Sequence, residues 1–113
     1  MRFAVRVASF CRSLTDTWEG RHVADQLFRS GTSLAANYTA ACRGRSPREF
    51  VAKLGLVVEE TDETLFWLTF AMKADLARGS EASELSAEAR ELLAIFTVSV
   101  KTAAANRRKQ AKR

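Results

Sequence analysis

The sequence has few of the residues that interrupt helices, with five glycines and one proline in 113 residues. A β-sandwich or a β-barrel needs many turns, and glycine and proline are the residues that most often form them. Alanine, leucine, glutamate and arginine, which favour helices, are abundant instead. We therefore expect an all-α protein, and a chain of this length forms a single domain.

Residues for metal or covalent chemistry are also scarce, since the chain has one histidine, His22. A di-iron bundle needs a Glu-x-x-His motif on each of two helices, so this cofactor is excluded. No phosphate-binding loop, nucleophile elbow or zinc-protease helix is present in the sequence. The sequence therefore predicts no catalytic residues, no metal, no cofactor and no small-molecule substrate.

Cysteine spacing and the length of apolar runs indicate where in the cell the protein is expected. Cys11 and Cys42 lack a Cys-x-x-Cys spacing and follow no apolar signal segment, so we expect reduced, buried thiols in a cytoplasmic protein. The longest strongly apolar stretch, residues 65–72, is far shorter than the roughly 20 residues that span a bilayer. No membrane association is predicted.

Apolar side chains recur every three or four residues along four segments, which is the spacing of one face of an amphipathic helix. The longest such run is in the third segment and comprises Val51, Leu54, Val58, Thr61, Leu65, Leu68 and Met72. Residues 46–49 read as a capping box with proline at the first helical position, and Ser83 or Ser86 is expected to cap the fourth helix. We predict helices over about 2–15, 19–43, 47–76 and 84–106, followed by a basic tail at 107–113. Short connections between long helices predict an up-down-up-down antiparallel four-helix bundle.

A polar stripe with the same helical spacing runs along the second helix. It comprises Gln26, Ser30, Ser33 and Asn37, and Glu60, Glu63 and Thr64 on the third helix are the expected partners. Burying such groups unpaired costs roughly 1–3 kcal/mol each, so we expect a buried hydrogen-bond network. An acid–base pair that involves Glu60 is the alternative interpretation.

Apolar side chains in residues 65–72 surround the third helix more completely than one bundle core can cover. Phe66 and Phe70 lie one turn apart and away from the apolar seam, with Trp67 beside them. These three residues are our candidate oligomer interface. Alternatively, long neighbouring side chains cover the rings within one chain.

The net charge of +5 makes a polyanionic partner plausible, because the two ends of the sequence are basic and the middle is acidic. The candidate nucleic-acid-binding residues are Arg2, Arg6, Arg43, Arg45, Arg107, Arg108, Lys109, Lys112 and Arg113. No aromatic residue interleaves these positions, which favours contacts to the phosphate backbone over base stacking. The tail either neutralises phosphates or is a solvated helix end that complements the helix dipole.

The run Arg-Ser-Gly-Thr-Ser-Leu-Ala-Ala-Asn-Tyr at 29–38, with Phe50, Leu54, Glu60 and Trp67 further on, carries a family resemblance. The chain resembles the four-helix-bundle proteins encoded by intervening sequences of bacterial large-subunit ribosomal RNA genes, often labelled ribosomal proteins. The resemblance implies a left-handed bundle in a ring-like homopentamer. It extends to the accessory variability protein of diversity-generating retroelements, which binds a reverse transcriptase and nucleic acid through basic surface.

Two positions depart from the pattern of that family. It usually has an acidic residue where Ala40 stands and often a basic one where Glu59 stands, so an ion pair at these places is not expected. The function expected is a non-enzymatic, oligomeric bundle that binds structured RNA or a nucleoprotein partner. The alternative is a protein-interaction scaffold or an accessory subunit, for example of a reverse transcriptase.

Overall fold

The computed structural model describes residues 1–112 and contains four α-helices. They are α1 (Arg2–Cys11), α2 (Trp18–Cys42), α3 (Pro47–Lys73) and α4 (Glu81–Ala111). Each helix packs against its neighbours in sequence, and α1 also contacts α4. The described residues form an antiparallel four-helix bundle of 56 × 20 × 20 Å, which confirms the predicted fold class.

Side-chain caps begin α2 and α3. The hydroxyl of Thr17 accepts the backbone N–H of Gly20 at 3.1 Å, and the hydroxyl of Ser46 accepts that of Glu49 at 3.1 Å. Each cap satisfies one of the N–H groups that the first turn of a helix leaves unpaired. The fourth helix differs from the prediction, because it begins after Ser80 with no side-chain cap and buries Ser86 in the core.

The core is built from large apolar side chains of all four helices. Phe10, Leu27, Leu54 and Leu85 are fully buried, together with smaller residues around them. The predicted core side of α3 is confirmed only in part, at Leu54, Thr61 and Leu68. The buried positions are Leu54, Val57, Thr61, Thr64, Leu68 and Ala71, whereas Val58 and Leu65 are half-buried and Met72 is exposed.

Small residues on α2 allow its neighbours to approach closely. A Cβ atom at Gly31 would lie 2.9 Å from Cγ1 of the buried Val7 on α1, closer than carbon atoms pack. Ser30 is fully buried beside it and faces α3 through a hydrogen bond to Thr64. Small side chains at 30 and 31 therefore set the spacing between α2 and both helices that flank it.

The first helix is much shorter than the other three, and this shapes one end of the molecule. Its ten residues rise only about 15 Å, and Met1 lies beside Tyr38 of α2 and Ile95 of α4. Beyond these contacts the bundle continues as three helices. The fourth helix extends past the predicted end at residue 106 to Ala111, so residues 107–111 are helical and not a separate tail.

Candidate nucleic-acid interface

The three-helix end collects basic residues from two distant parts of the sequence. Because α3 runs antiparallel to α2 and α4, the turn between α2 and α3 lies beside the last turns of α4. We call residues 43–49 and 101–112 the basic end. Its eight basic residues are Arg43, Arg45, Arg48, Lys101, Arg107, Arg108, Lys109 and Lys112, against one acidic residue, Glu49.

The other aspartate and glutamate side chains of residues 1–112 lie well away from this end along the chain. The nearest on α3 and α4 are Glu59 and Glu91, ten residues from Glu49 and Lys101 respectively. Ten helical residues rise about 15 Å, which exceeds the Debye length of about 8 Å at physiological ionic strength. The positive charge of the basic end is therefore weakly opposed by the protein itself.

A cleft of about 490 Å³ opens between the turn and α4 at this end. Arg45 lines it from the turn, Arg107 from α4, and Phe50 from the first turn of α3. Asn106 and Gln110, one helical turn apart on α4, line it as well. The cleft thus joins cationic, aromatic and amide side chains from segments that are about 60 residues apart in sequence.

The backbone of the turn holds the arginines at the mouth of this cleft. Gly44 donates its N–H to the carbonyl of Ala41 at 3.0 Å, and a Cβ at this glycine would lie 3.4 Å from the backbone nitrogen of Phe50. The carboxylate of Glu49 accepts the backbone N–H of Arg45 at 3.2 Å. The same Cβ would lie 3.0 Å from the carbonyl oxygen of Ala41 at the end of α2, closer than ordinary packing, so glycine suits a turn this tight.

The predicted binding residues on α1 lie elsewhere. Arg6 donates to the carboxylate of Glu88 at 2.8 Å, and Glu84 lies 4.0 Å from its guanidinium. Arg2 is exposed on the same short helix, which does not line the cleft. The structure therefore brings together the predicted residues of the α2–α3 turn and of α4, but not Arg2 and Arg6. Arg113 lies outside the described residues.

Sequence reasoning missed Phe50 as a cleft residue, and it missed Arg48 and Lys101 as part of the basic end. The expectation that no aromatic residue accompanies the basic positions does not hold, because Phe50 lines the same cleft as Arg45 and Arg107. Four residues separate Arg45 from Phe50. The helix cap at Ser46 could have indicated this arrangement. It shows that the chain reverses direction between Arg45 and Phe50, which brings the Phe50 ring close to the arginines of the turn.

The predicted polar network forms only in part. Thr64 donates to the Ser30 hydroxyl across the α2–α3 interface at 2.9 Å, and Ser30 donates to the carbonyl of Leu27 at 3.2 Å. Asn37 instead donates to the carbonyl of Ser33, on its own helix, at 2.9 Å. Among the described residues, no hydrogen bond joins this pair to Thr64.

Glu60 faces an arginine rather than the polar stripe. Arg29 donates to its carboxylate at 3.3 Å and also pairs with the carboxylate of Glu63. The hydrogen bond from Arg29 lowers the pKa of Glu63 below its usual value. Gln26 is half-buried and has no part in this ion pair. The arrangement stabilises the contact between α2 and α3 and favours the charged form of the Glu63 carboxylate.

The candidate interface residues on α3 form an aromatic cluster at the surface. Phe66 is 55% exposed and Phe70 is 41% exposed, while Trp67 packs edge-on against His22 with ring centroids 5.8 Å apart. Phe66 and Trp67 also meet edge to face at 4.9 Å. Neighbouring side chains therefore do not cover the two phenylalanine rings within one chain.

The two thiols occupy different environments. Burial raises the pKa of Cys11 to about 11, so this thiol stays protonated at neutral pH. Cys42 is exposed, because it ends α2 at the mouth of the cleft, which corrects the expectation that both are buried. Residues 1–112 contain no group of three potential metal ligands and no helix that is long and apolar enough to cross a membrane.

These features define the class of protein: an all-α, antiparallel four-helix bundle with a basic cleft at one end. Residues 1–97 match the 23S rRNA-intervening sequence protein family. The chain belongs to this family, which confirms the resemblance found in the sequence. The matched residues include the α2–α3 turn and end before the α4 side of the cleft.

One solved structure is similar over most of both chains. It is the crystal structure of a protein of unknown function from the S23 ribosomal protein family of Bacteroides thetaiotaomicron VPI-5482. It is 25% identical, with a TM-score of 0.80 over 88% of this chain and 93% of that one. No curated protein matches the chain. The family description names no catalytic activity.

Proposed function

We propose that this protein is a non-enzymatic, cytoplasmic bundle that binds the phosphate backbone of structured RNA through its basic end. The proposal rests on the observation that Arg45 of the turn and Arg107 of α4 line one cleft. The other six basic residues of the basic end lie in the same two segments of the chain. Arginine guanidinium groups pair with phosphate oxygens in a fixed fork geometry. Eight cations against one carboxylate give a surface that can displace the counterions of a nucleic acid.

Membership of a family described by an intervening sequence of 23S rRNA supports RNA as the polyanion. The basic residues also complement the negative C-terminal ends of α2 and α4. That role needs only one or two cations per helix end, whereas residues 107–112 at the end of α4 include four basic residues. The excess charge favours an external anionic partner.

The first test is a titration of the protein with structured ribosomal RNA and with an unrelated duplex of matched length, over a range of salt concentrations. Selective binding that survives near-physiological salt supports the proposal. Weak and unselective binding that vanishes with salt contradicts it. A chain that ends at Asn106 should bind more weakly and with a flatter salt dependence, because it lacks five of the cations.

We also propose that the protein forms a homo-oligomer through the α3 aromatic cluster of Phe66, Trp67 and Phe70, as the resemblance to a pentameric family implies. The exposed phenylalanine rings favour this, since large aromatic surfaces gain most from leaving water. The same exposure favours the second candidate function, a scaffold or accessory subunit that docks a protein partner there. Burial of all three rings between identical subunits would exclude that docking surface.

A further inference from the structure

We propose that the cleft at the basic end receives one unpaired nucleotide of the bound RNA, with its base beside Phe50 and its phosphates between Arg45 and Arg107. This inference rests on the proposed RNA-binding function. It adds the kind of RNA that the site selects, which is a helix interrupted by a loop or a bulge. The inference is based on the combination of side chains that lines this cleft.

The first element of the set is an aromatic ring that is anchored but accessible. Phe50 packs against the hydrophobic core and is half-buried, so part of the side chain remains open to the cleft. Unpaired bases in protein–RNA complexes stack on aromatic side chains, and every base has a face that can do so. The hydrogen bonds from the Arg45 N–H to the Glu49 carboxylate and from the Glu49 N–H to the Ser46 hydroxyl hold the start of α3 against the turn.

The second element is a pair of amides on the opposite wall. Asn106 and Gln110 follow one another at one helical turn on α4, and both are exposed. Each amide offers a donor and an acceptor, as do the edges of the nucleobases. A base that enters the cleft therefore meets groups that can pair with its edge as well as a ring that can stack on its face.

The third element is charge at both walls and beyond them. Arg45 and Arg107 line the cleft from the turn and from α4, and either can grip a phosphate. Arg43 and Arg108 are next to lining residues in sequence but do not line the cleft themselves. A free nucleotide would contact only Arg45 and Arg107. An RNA chain that continues from the bound nucleotide would also contact Arg43 and Arg108.

The size of the cleft agrees with a nucleotide. Its volume of about 490 Å³ falls within the roughly 300–1,000 Å³ of small-molecule sites. A base within a duplex is stacked and paired, and bringing it out costs a few kcal/mol. An already unpaired nucleotide avoids that cost, which is why the cleft should prefer a loop or a bulge to a continuous helix.

The test compares two RNAs that carry the same number of phosphates, a hairpin with a six-nucleotide adenine loop and a blunt-ended duplex. Affinities of the full chain are measured by fluorescence anisotropy at 0.15 M salt, a concentration near physiological. The variants are Phe50→Leu, which keeps an apolar side chain, and Asn106→Ala on the exposed surface of α4. Phe28→Leu, which removes an exposed aromatic ring on α2 far from the cleft, is the matched control.

The wild-type protein should bind the hairpin about 5-fold to 100-fold more tightly than the duplex, the gain typical of stacking one base on an aromatic ring. Phe50→Leu should abolish most of this preference and leave duplex affinity within about twofold. Asn106→Ala should weaken only hairpin binding, by about 2-fold to 10-fold. A 2-aminopurine in the loop should lose fluorescence on binding to the wild type and less on binding to Phe50→Leu.

Equal affinity of the wild type for both RNAs would overturn the nucleotide site and leave the proposed RNA-binding function standing. The same conclusion follows if Phe50→Leu and Asn106→Ala both retain the full preference for the hairpin. Failure of the wild type to bind either RNA would overturn the proposed function and this inference together. Thermal unfolding of each variant identifies a loss of binding that comes from misfolding, and the exposed Asn106 variant keeps the test decisive if Phe50→Leu unfolds.

Discussion

At the scale of single residues, the structure separates buried hydroxyl groups that have partners from one that has none. Ser30, Thr61 and Thr64 are fully buried and hydrogen-bonded, Thr61 through the carbonyl of Val57 at 2.6 Å. Ser86 is equally buried, and its hydroxyl has no hydrogen-bond partner among the described residues. A buried polar group without a partner loses its hydration and gains nothing in return.

This difference predicts opposite effects of two substitutions that each remove one hydroxyl. Ser86→Ala should leave the free energy of unfolding unchanged or raise it by about 1 kcal/mol, because it removes an unsatisfied group. Ser30→Ala should lower it by about 1 kcal/mol or more, because Thr64 loses its partner on α2. Urea denaturation of both variants and of the wild type measures these changes in the free energy of unfolding. A clear loss of stability in Ser86→Ala would show that its hydroxyl has a partner.

The polar stripe on α2 could be predicted from spacing, but its partners could be predicted only in part. Ser30 and Thr64 were correctly paired, because their phases on two adjacent antiparallel helices both point to the shared interface. Glu60 could not be assigned from spacing. Its side chain lies at the edge of that interface, where the long side chain of Arg29 reaches it from an exposed position.

At the scale of the helices, α1 is held against α2 by a contact that leaves no room for one more carbon. Overpacking of a Cβ that would lie 2.9 Å from Val7 costs about 1–3 kcal/mol, and the helix preference of alanine returns about 1 kcal/mol. Gly31→Ala should therefore lower the free energy of unfolding by up to about 2 kcal/mol. The penalty should shrink by at least about 0.5 kcal/mol in a chain that also carries Val7→Ala. Thermal or urea unfolding of the two single variants and the double variant measures this coupling.

Gly55→Ala is the matched control for that experiment, because it lies in α3 with nothing within 4 Å of the added Cβ. Alanine favours a helix over glycine by about 1 kcal/mol, so this variant should be more stable than the wild type. Strict additivity of Gly31→Ala and Val7→Ala would contradict the contact that the structure shows.

The positions of the helices followed from periodicity, but the phase of α3 did not. Apolar residues surround this helix, so Val57 and Val58 both read as core, and the choice depends on what faces them. Because α2 has small residues such as Ser30, Thr61 and Thr64 of α3 can be buried, and Thr64 contacts Ser30 directly. Leu65 is then only half-buried, at the edge of the interface between α2 and α3. The length of α4 was underestimated because arginine and lysine, which end an apolar stripe, are themselves good helix formers.

At the scale of the whole molecule, charge is separated along the 56 Å axis of the bundle. The sequence showed basic ends and an acidic middle, yet it could not show that residues 43–49 and 101–112 lie together. That arrangement depends on the antiparallel packing of α3 between α2 and α4. It also depends on the shortness of α1, which leaves this end to three helices and exposes the cleft.

Assembly of the molecule gives a further prediction for the α3 aromatic cluster. Phe66→Asp should shift the protein toward monomers, because it would place an unpaired charge in the proposed apolar contact. Light scattering coupled to size-exclusion chromatography reports the mass in solution. Retention of the wild-type mass would place the interface elsewhere. Phe28→Asp changes an aromatic residue that is 52% exposed on α2, and it serves as the control.

The central claim, that the basic end binds the RNA backbone, is tested most directly by the salt dependence of binding in two charge-matched variants. One carries Arg45→Gln, Arg107→Gln and Arg108→Gln at the basic end. The other carries Arg12→Gln, Arg78→Gln and Arg90→Gln on other parts of the bundle. Both lose three positive charges, so their net charges are identical.

We predict that the slope of log affinity against log salt falls in magnitude by about 2–3 for the first variant, close to 0.9 for each phosphate that the protein no longer neutralises. The second variant should change it by less than about 1, because its arginines are not at the basic end. An equal reduction of the slope in the two variants would mean that net charge alone attracts the RNA, and this result would contradict a dedicated binding surface at the basic end.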